Sequence, residues 1–476
     1  MDVNGKISNR SLVNLTIISG MFLWSFSAGM VNLSLPTIAQ YFGIGSATVS
    51  WVIVCHFITL VGLLLFFGRL AYYVGHKTIF MWGVFIFVLA SLFCGISSKI
   101  EHILIFRAIQ GIGSAMLLSV TPAILSKISS SKNRGKAFGY ISLATTLGLS
   151  IGYLIGGTIL EYASWNWIFI VTVPIGIIVL LMAQKSMPKE TIISPKDKLD
   201  KIGAIILFIS FFALILAIEP MRTVEFPILT ISVGLTISII LGLIFIFWEL
   251  RHPYPLIDLK LFLNPYLTLT VLIAFLTTLV LTGTIFLVPF YLDLVMSYST
   301  ELAGLIIFMA TLIILVGGPL SGRLSDKFGA KKINILGVVI LLIALVFFTF
   351  FDQTVSLTFI LIVLALRALS DGVSNPANSK LVISYSPPGM EYTVSSLLNA
   401  ARYLGVVTGV VVFEAIFNKT ISQYGQTLTS HGSIVEKTLP VGALVDGFQT
   451  AFFIGVILTV VILILTFLSS AAPDEN

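Results

Sequence analysis

The sequence predicts an all-α membrane protein of fourteen helices, two six-helix bundles with an inserted pair between them. Three observations carry this. Of the 476 residues, 57% are hydrophobic and 10% charged, where soluble domains approach one quarter charged. Fourteen apolar runs of about twenty residues are each long enough to cross the ~30 Å hydrocarbon core as a helix. One short basic turn is also written twice. Gly68-Arg69-Leu70-Ala71-Tyr72-Tyr73-Val74-Gly75-His76-Lys77 returns 254 residues later as Gly322-Arg323-Leu324-Ser325-Asp326-Lys327-Phe328-Gly329-Ala330-Lys331. A polar turn repeated at matching places in two apolar halves marks an internal duplication in a bilayer.

The first run, 12–35, follows polar residues and has no small-residue cleavage site after it, so it reads as a retained helix. Runs 48–68 and 78–97 flank the first basic turn. Run 102–126 carries Arg107 and Gln110, and 137–160 carries Gly148, Gly152 and Gly156 at four-residue spacing. Run 165–184 completes an amino-terminal bundle, 12–184. The hydrophilic linker 185–201 leads into the inserted pair, 202–219 and 226–249, and a basic loop, 250–265, follows. The carboxy-terminal bundle, 266–468, holds runs 267–290, 301–321, 333–351, 356–378, 395–418 and 446–468. Its polar loop 419–445 does not fit a soluble domain. The duplication reaches into the helices: Arg107 returns as Arg367 at an offset of 260, and Gly148 and Gly152 return as Gly405 and Gly409 at 257.

Charge supports the same count. Of 27 Lys and Arg, 20 fall in the amino terminus and alternate loops, four in the opposite loops and three within runs. By the positive-inside rule both termini are then cytoplasmic, as an even number of crossings requires. The net charge of +6 is this asymmetry and not a nucleic-acid footprint. Cys55 and Cys94 lie inside runs, so neither a disulfide nor a metal site is implied. No cofactor is expected, and a monomer suffices.

In order along the chain, these motifs resemble the major facilitator superfamily, in its fourteen-span drug:proton antiporter branch. The turn at 68–77 resembles the signature between spans 2 and 3, and Arg107-x-x-Gln110-Gly111 that of span 4. Gly139, Gly148, Gly152, Gly156 and Gly157 resemble the antiporter signature of span 5. Val31-Asn32-Leu33-Ser34-Leu35-Pro36 resembles span 1, and Trp165-Asn166-Trp167-Ile168-Phe169 with Pro174-Ile175-Gly176 resembles the opening of span 6. The resemblance implies a pseudo-twofold pair of bundles around a mid-membrane cavity. It also implies that the span 5 glycines join the two halves. Three positions depart from the pattern: Tyr72 replaces an acid, Tyr153 a proline and Ser27 an aspartate.

An ionisable group inside a span costs about 2.5–3.5 kcal/mol on insertion scales and needs a partner or water. No acid lies inside any run of the amino half; the polar residues there include His56, Arg107 and Gln110. Arg107 resembles the arginine taken to face the cavity and assist proton coupling, or it packs helices by bonding backbone carbonyls. His56 is a relay or a hydrogen-bonding partner. Asp371 lies one helical turn after Arg367, so an ion pair competes with a carrier role. Glu414 has no cation nearby on its helix and reads as a proton carrier, or snorkels at the boundary. Asp293 and Glu219 read as interfacial. Gln110, Arg367, Asn375 and Asn32 are the expected polar lining of the cavity. Gly68, Arg69, Gly75, Lys77, Gly322, Arg323, Asp326 and Gly329 are the expected gate, with Asp326 meeting a helix terminus or an arginine across the interface.

The function expected is proton-driven efflux of small hydrophobic compounds, cations included, across the cell membrane. The alternatives are a dedicated carrier of one metabolite or anion, and a non-transporting receptor on the same scaffold. No phosphate loop, metal cluster or nucleophile–base signature suggests an enzyme.

Overall fold

The computed structural model describes residues 10–128, 134–187, 200–218, 228–253, 255–424 and 439–469. Glu219, most of the linker 185–201 and most of the loop 419–445 lie outside the described residues. Among the described residues the chain is helical with no strand. The amino-terminal helices are α1 (Arg10–Phe42), α2 (Ser46–Val74), α3 (His76–Gly95), α4 (Ile100–Ile128), α5 (Arg134–Tyr162) and α6 (Trp167–Ser186). The inserted pair is α7 (Lys201–Ile218) and α8 (Ile228–Arg251). The carboxy-terminal helices are α9 (Pro265–Leu294), α10 (Thr300–Phe328), α11 (Ala330–Phe348), α12 (Leu357–Ser384), α13 (Glu391–Ile421) and α14 (Val441–Leu468). Thirteen of these are long and apolar enough to cross a bilayer. The other, α7, has 18 residues, and at 1.5 Å per residue it rises about 27 Å, close to the hydrocarbon thickness.

The two basic turns are built alike. Gly75 ends α2 at φ +91° and Gly329 ends α10 at φ +90°, a backbone setting that side chains other than glycine rarely adopt. The next helix starts at once in both places, which turns the chain sharply without a loop. A lysine two residues beyond each glycine then ties the turn to the last helix of its own half. Lys77 donates to the carbonyls of Gln184, at 3.1 Å, and Met187, at the end of α6. Lys331 donates to those of Phe467, at 2.9 Å, and Ser469, at the end of α14. A cation there satisfies carbonyls that no intrahelical donor reaches.

The glycine stripe corrects one expectation. Gly148, Gly152 and Gly156 do not join the halves; they bring α5 onto α1 of the same half. A Cβ on Gly148 would lie 2.7 Å from the Phe22 carbonyl oxygen, and one on Gly152 only 2.4 Å from that of Phe26. On Gly156 it would press against Met30. The second half repeats the device, Gly405 and Gly409 packing α13 on the α9 backbone at Phe275 and Leu279. Backbones this close gain dispersion contact, which replaces the missing hydrophobic drive in lipid.

The inserted pair sits outside both bundles. Gly62 of α2 leaves the space filled by the Phe208 ring of α7. At the base of the pair, Asp200 accepts hydrogen bonds from the Gly203 N–H at 2.8 Å and the Trp248 indole at 3.1 Å.

Candidate functional site

At the end of the molecule away from the basic turns, the halves meet along two seams. In one, Gly157 of α5 lies against α10, where a Cβ would sit 2.7 Å from the Thr300 carbonyl oxygen. The Thr300 N–H and hydroxyl donate to Glu161 Oε2 at 3.1 and 3.0 Å. The Tyr162 hydroxyl donates to Glu301 at 2.9 Å. In the other seam, Ser46 of α2 donates to Glu414 Oε1 of α13 at 3.4 Å, and the Asn418 amide reaches Ser46 Oγ at 3.1 Å and the Glu414 carboxylate. These are one contact written twice. Ser46 and Thr300 are 254 apart; Gly157 and Glu161 are each 257 before Glu414 and Asn418. In the second copy the carboxyl has moved one turn back along the helix, to the glycine position, and an amide, Asn418, stands where Glu161 does.

At the basic-turn end the halves part around a cavity of about 790 Å³, within the usual range for small-molecule sites. Leu64, Gly68, Arg69, Tyr72, Ser119 and Pro122 form part of its amino-half wall, and Ser379, Glu391, Ser396, Asn399, Arg402 and Tyr403 part of the facing wall. Tyr403 gives it an aromatic floor. Tyr403 of α13 meets Trp24 of α1 and Phe57 of α2 at centroid distances of 5.9 and 6.2 Å, so ring contacts cross between the halves. Glu391 precedes the membrane-crossing part of α13, which begins at Thr393. Its own backbone N–H and that of Gly389 hold the Glu391 carboxyl below the usual carboxylate range.

The expected coupling residues separate into distinct places. Arg107 is buried and donates Nε to the Val52 carbonyl of α2 at 2.7 Å and Nη1 to Gln110, whose amide donates to Ser91 at 2.6 Å. Of its two readings, the carbonyl-bonding one describes this conformation. His56 joins the same region through Ser114 at 3.2 Å. Arg367 does not pair with Asp371. It donates to the Leu281 carbonyl of α9 at 2.7 Å, while Asp371 accepts from the Asn375 amide. The turn between them on α12 points the guanidinium toward α9 instead. Glu414 is fully buried and does not snorkel. Asn418, one turn further along the same helix, and Ser46 across the seam are among its partners, and both are neutral.

The expected polar lining lies beside or behind the cavity wall. Gln110 and Arg367 are buried within their halves, and Asn32 accepts from the Tyr153 hydroxyl at 3.5 Å. Asn375 stands one link back, its carbonyl accepting from Arg402 at 3.0 Å. Of the expected gate, Gly68 and Arg69 line the cavity, and Arg69 donates to the Pro255 carbonyl at 2.6 Å. Gly322 has open space beside it and Arg323 is exposed. Asp326 pairs with Lys380 of its own half at 2.9 Å, not with the other half; with the cavity open, Lys380 is the cation within reach. Sequence reasoning missed Arg402, Tyr403, Ser46, Asn418 and Lys331. Ser46 and Lys331 were within reach of the 254-residue offset, applied to positions outside the turn glycines.

The family model of the Major Facilitator Superfamily matches residues 17–410. The chain belongs to that superfamily. Among its relatives, riboflavin transporter RibZ of Clostridioides difficile is 29% identical over 427 residues, covering 90% of this chain and 92% of that protein. Lincomycin resistance protein LmrB of Listeria monocytogenes is 28% identical over 455 residues, 95% of each chain. A bacterial homolog of the human lysosomal transporter Spinster shares the fold at TM-score 0.69 and 17% identity, with 98% of this chain and 97% of that chain covered. The D-xylose–proton symporter does so at TM-score 0.66 and 15% identity, with 98% and 99% covered.

Within this transporter family the three departures now have a structural setting. Tyr153 leaves α5 unbroken and turns its carbonyl toward Gly304 of α10, where a Cβ would approach it to 2.5 Å. Ser27 is buried, and its hydroxyl makes no hydrogen bond among the described residues. Tyr72 is exposed on the cavity wall with its ring against His76 at 5.4 Å.

Proposed function

We propose that this protein is a proton-coupled exporter of small, largely apolar organic compounds, working by alternating access as a monomer in the cell membrane with both termini cytoplasmic. The observation that supports this most is that the halves touch at one end and part at the other around a cavity. Rocking about the α2–α13 and α5–α10 contacts would open the seams as it closes the cavity. The positive-inside count places the cavity mouth on the cytoplasmic side.

Coupling falls to the acids of the carboxy half. An ionised carboxylate sealed in the dry seam is unfavourable, so ionised Glu414 favours an open seam and protonated Glu414 a closed one. A proton taken from outside therefore closes the seam and returns the carrier to the cytoplasmic side. Asp371, one link behind the cavity wall, passes the proton on toward the cytoplasm. Arg107 and His56 complete the set as the polar network of the amino half. The basic turns act as the cytoplasmic gate.

A second reading, a dedicated carrier of one metabolite or anion, is favoured by Arg402 on the cavity wall and agrees with the name of the riboflavin-transporting relative. Purified protein in proteoliposomes under an imposed pH gradient, screened with organic cations, anions and neutral compounds, tests both. Accumulation that collapses with a protonophore is expected, and its chemical class chooses between the readings. Gradient-independent flux in every class would contradict proton coupling.

A further inference from the structure

The cavity wall carries a cation, Arg402 of α13, that makes no ion pair among the described residues. Its Nη2 donates to the Asn375 carbonyl at 3.0 Å and to Ser379 Oγ at 2.8 Å. Its Nε makes no hydrogen bond. Among the described residues no carboxylate stands within ion-pair distance of it. Asp371, whose carboxylate accepts from the Asn375 amide, acts on Arg402 only from beyond ion-pair distance. A guanidinium has five N–H donors, and a charge inside a span needs a partner or a function.

The duplication sharpens the point. The position 257 residues before Arg402 is Thr145, so the other half has no such cation. Arg402 does not recur and faces the site. The other lining cation, Arg69, is bonded to the Pro255 carbonyl. The lining acid, Glu391, is at the mouth, eleven residues from Arg402, or about 16 Å along the helix. Beside Arg402, Tyr403 lines the cavity, with the Phe57 and Trp24 rings packed against it. A guanidinium binds a carboxylate in a planar, two-pronged fashion, and an adjoining ring surface favours a flat apolar body.

We propose that the cargo is an amphiphilic organic anion, a flat aromatic body bearing a carboxylate, with the carboxylate held by Arg402 and the body on the Tyr403 floor. This rests on reading the cavity as the cargo site, and it turns the expected preference away from lipophilic cations.

Equilibrium binding to the purified full chain in detergent tests it, with naphthoate, naphthamide and naphthylmethylammonium as matched probes of negative, zero and positive charge. In the wild-type protein naphthoate should bind at least ~10-fold tighter than the ammonium probe, about 1.4 kcal/mol. Arg402→Gln should remove that margin while changing naphthamide by less than ~2-fold, and Arg402→Lys should restore part of it. The wild-type ranking needs no variant, so it decides even if Arg402→Gln does not fold. Equal or tighter binding of the ammonium probe overturns the proposal, as does an Arg402→Gln protein that binds naphthoate unchanged, or absence of naphthoate binding at millimolar concentration. Binding needs no gradient, so a failure of pH-driven transport would count against the exporter reading and leave this result standing.

Discussion

Single residues decide where charge sits in the bilayer. The absence of an Arg367–Asp371 pair changes what Asp371→Asn should do. Breaking a buried ion pair costs about 3–5 kcal/mol, but Asp371 accepts a hydrogen bond from Asn375 and stands in no ion pair among the described residues. Its loss should therefore cost on the order of 1 kcal/mol, with normal expression and a small fall in thermal stability. A collapse of expression, rescued by a neutral residue at position 367, would show that the two are paired after all. Arg367→Leu should cost more than Asp371→Asn, because it removes a buried hydrogen bond from a charged donor that ties α12 to α9. The sequence made the in-span arginines and acids visible as expensive groups but not their partners. Arg367 was one turn from an acid and bonded a carbonyl of another helix instead. Arg402 was legible as an arginine inside a run, and its value lay in a comparison with Thr145 that only the duplication offset supplies.

At the scale of elements, the repeated devices make paired predictions. Lys77→Met and Lys331→Met remove equivalent caps from α6 and α14. Each should lower stability by a similar amount, about 0.3–1 kcal/mol for a cation at a helix end, measured as two matching shifts in thermal unfolding. A large effect at one and none at the other would contradict their equivalence. The glycines separate by partner. Gly152→Ala forces a Cβ into the α1 backbone of its own half and should destabilise by about 1–3 kcal/mol without changing gate accessibility. Gly157→Ala forces one into α10 of the other half, so it should loosen the seam. A cysteine at Ser46, now buried, should then react faster with an impermeant maleimide in the Gly157→Ala protein but not in the Gly152→Ala protein. The four-residue glycine spacing showed that a close helix contact exists. It could not show which helix, because a small-residue stripe fits any backbone that approaches it, and the family pattern pointed to the wrong one.

At the scale of the whole molecule, most of the fold was legible in advance. Run lengths, the alternating basic loops and the 254-residue repeat together gave the helices and the two halves, because the bilayer permits few other solutions. The cavity was not legible, since its walls are set by the angle between the halves, and no local pattern encodes an angle. Topology is directly testable: Lys185 and Lys201, both exposed, should react with an impermeant reagent only from the cytoplasm, and exposed Lys99 only from outside. The central claim is that the seam and the cavity open in alternation under control of Glu414. Pulsed electron spin resonance on purified protein measures this without knowing the cargo, using spin labels at Tyr41 and Thr354 beyond the seams and at Tyr140 and Phe328 at the basic-turn ends of α5 and α10. As pH rises from about 5 to about 9, the first distance should lengthen and the second shorten. Glu414→Gln should hold the closed-seam distances at every pH. Distances that move in the same direction, or a Glu414→Gln protein that responds to pH as the wild type does, would contradict the account.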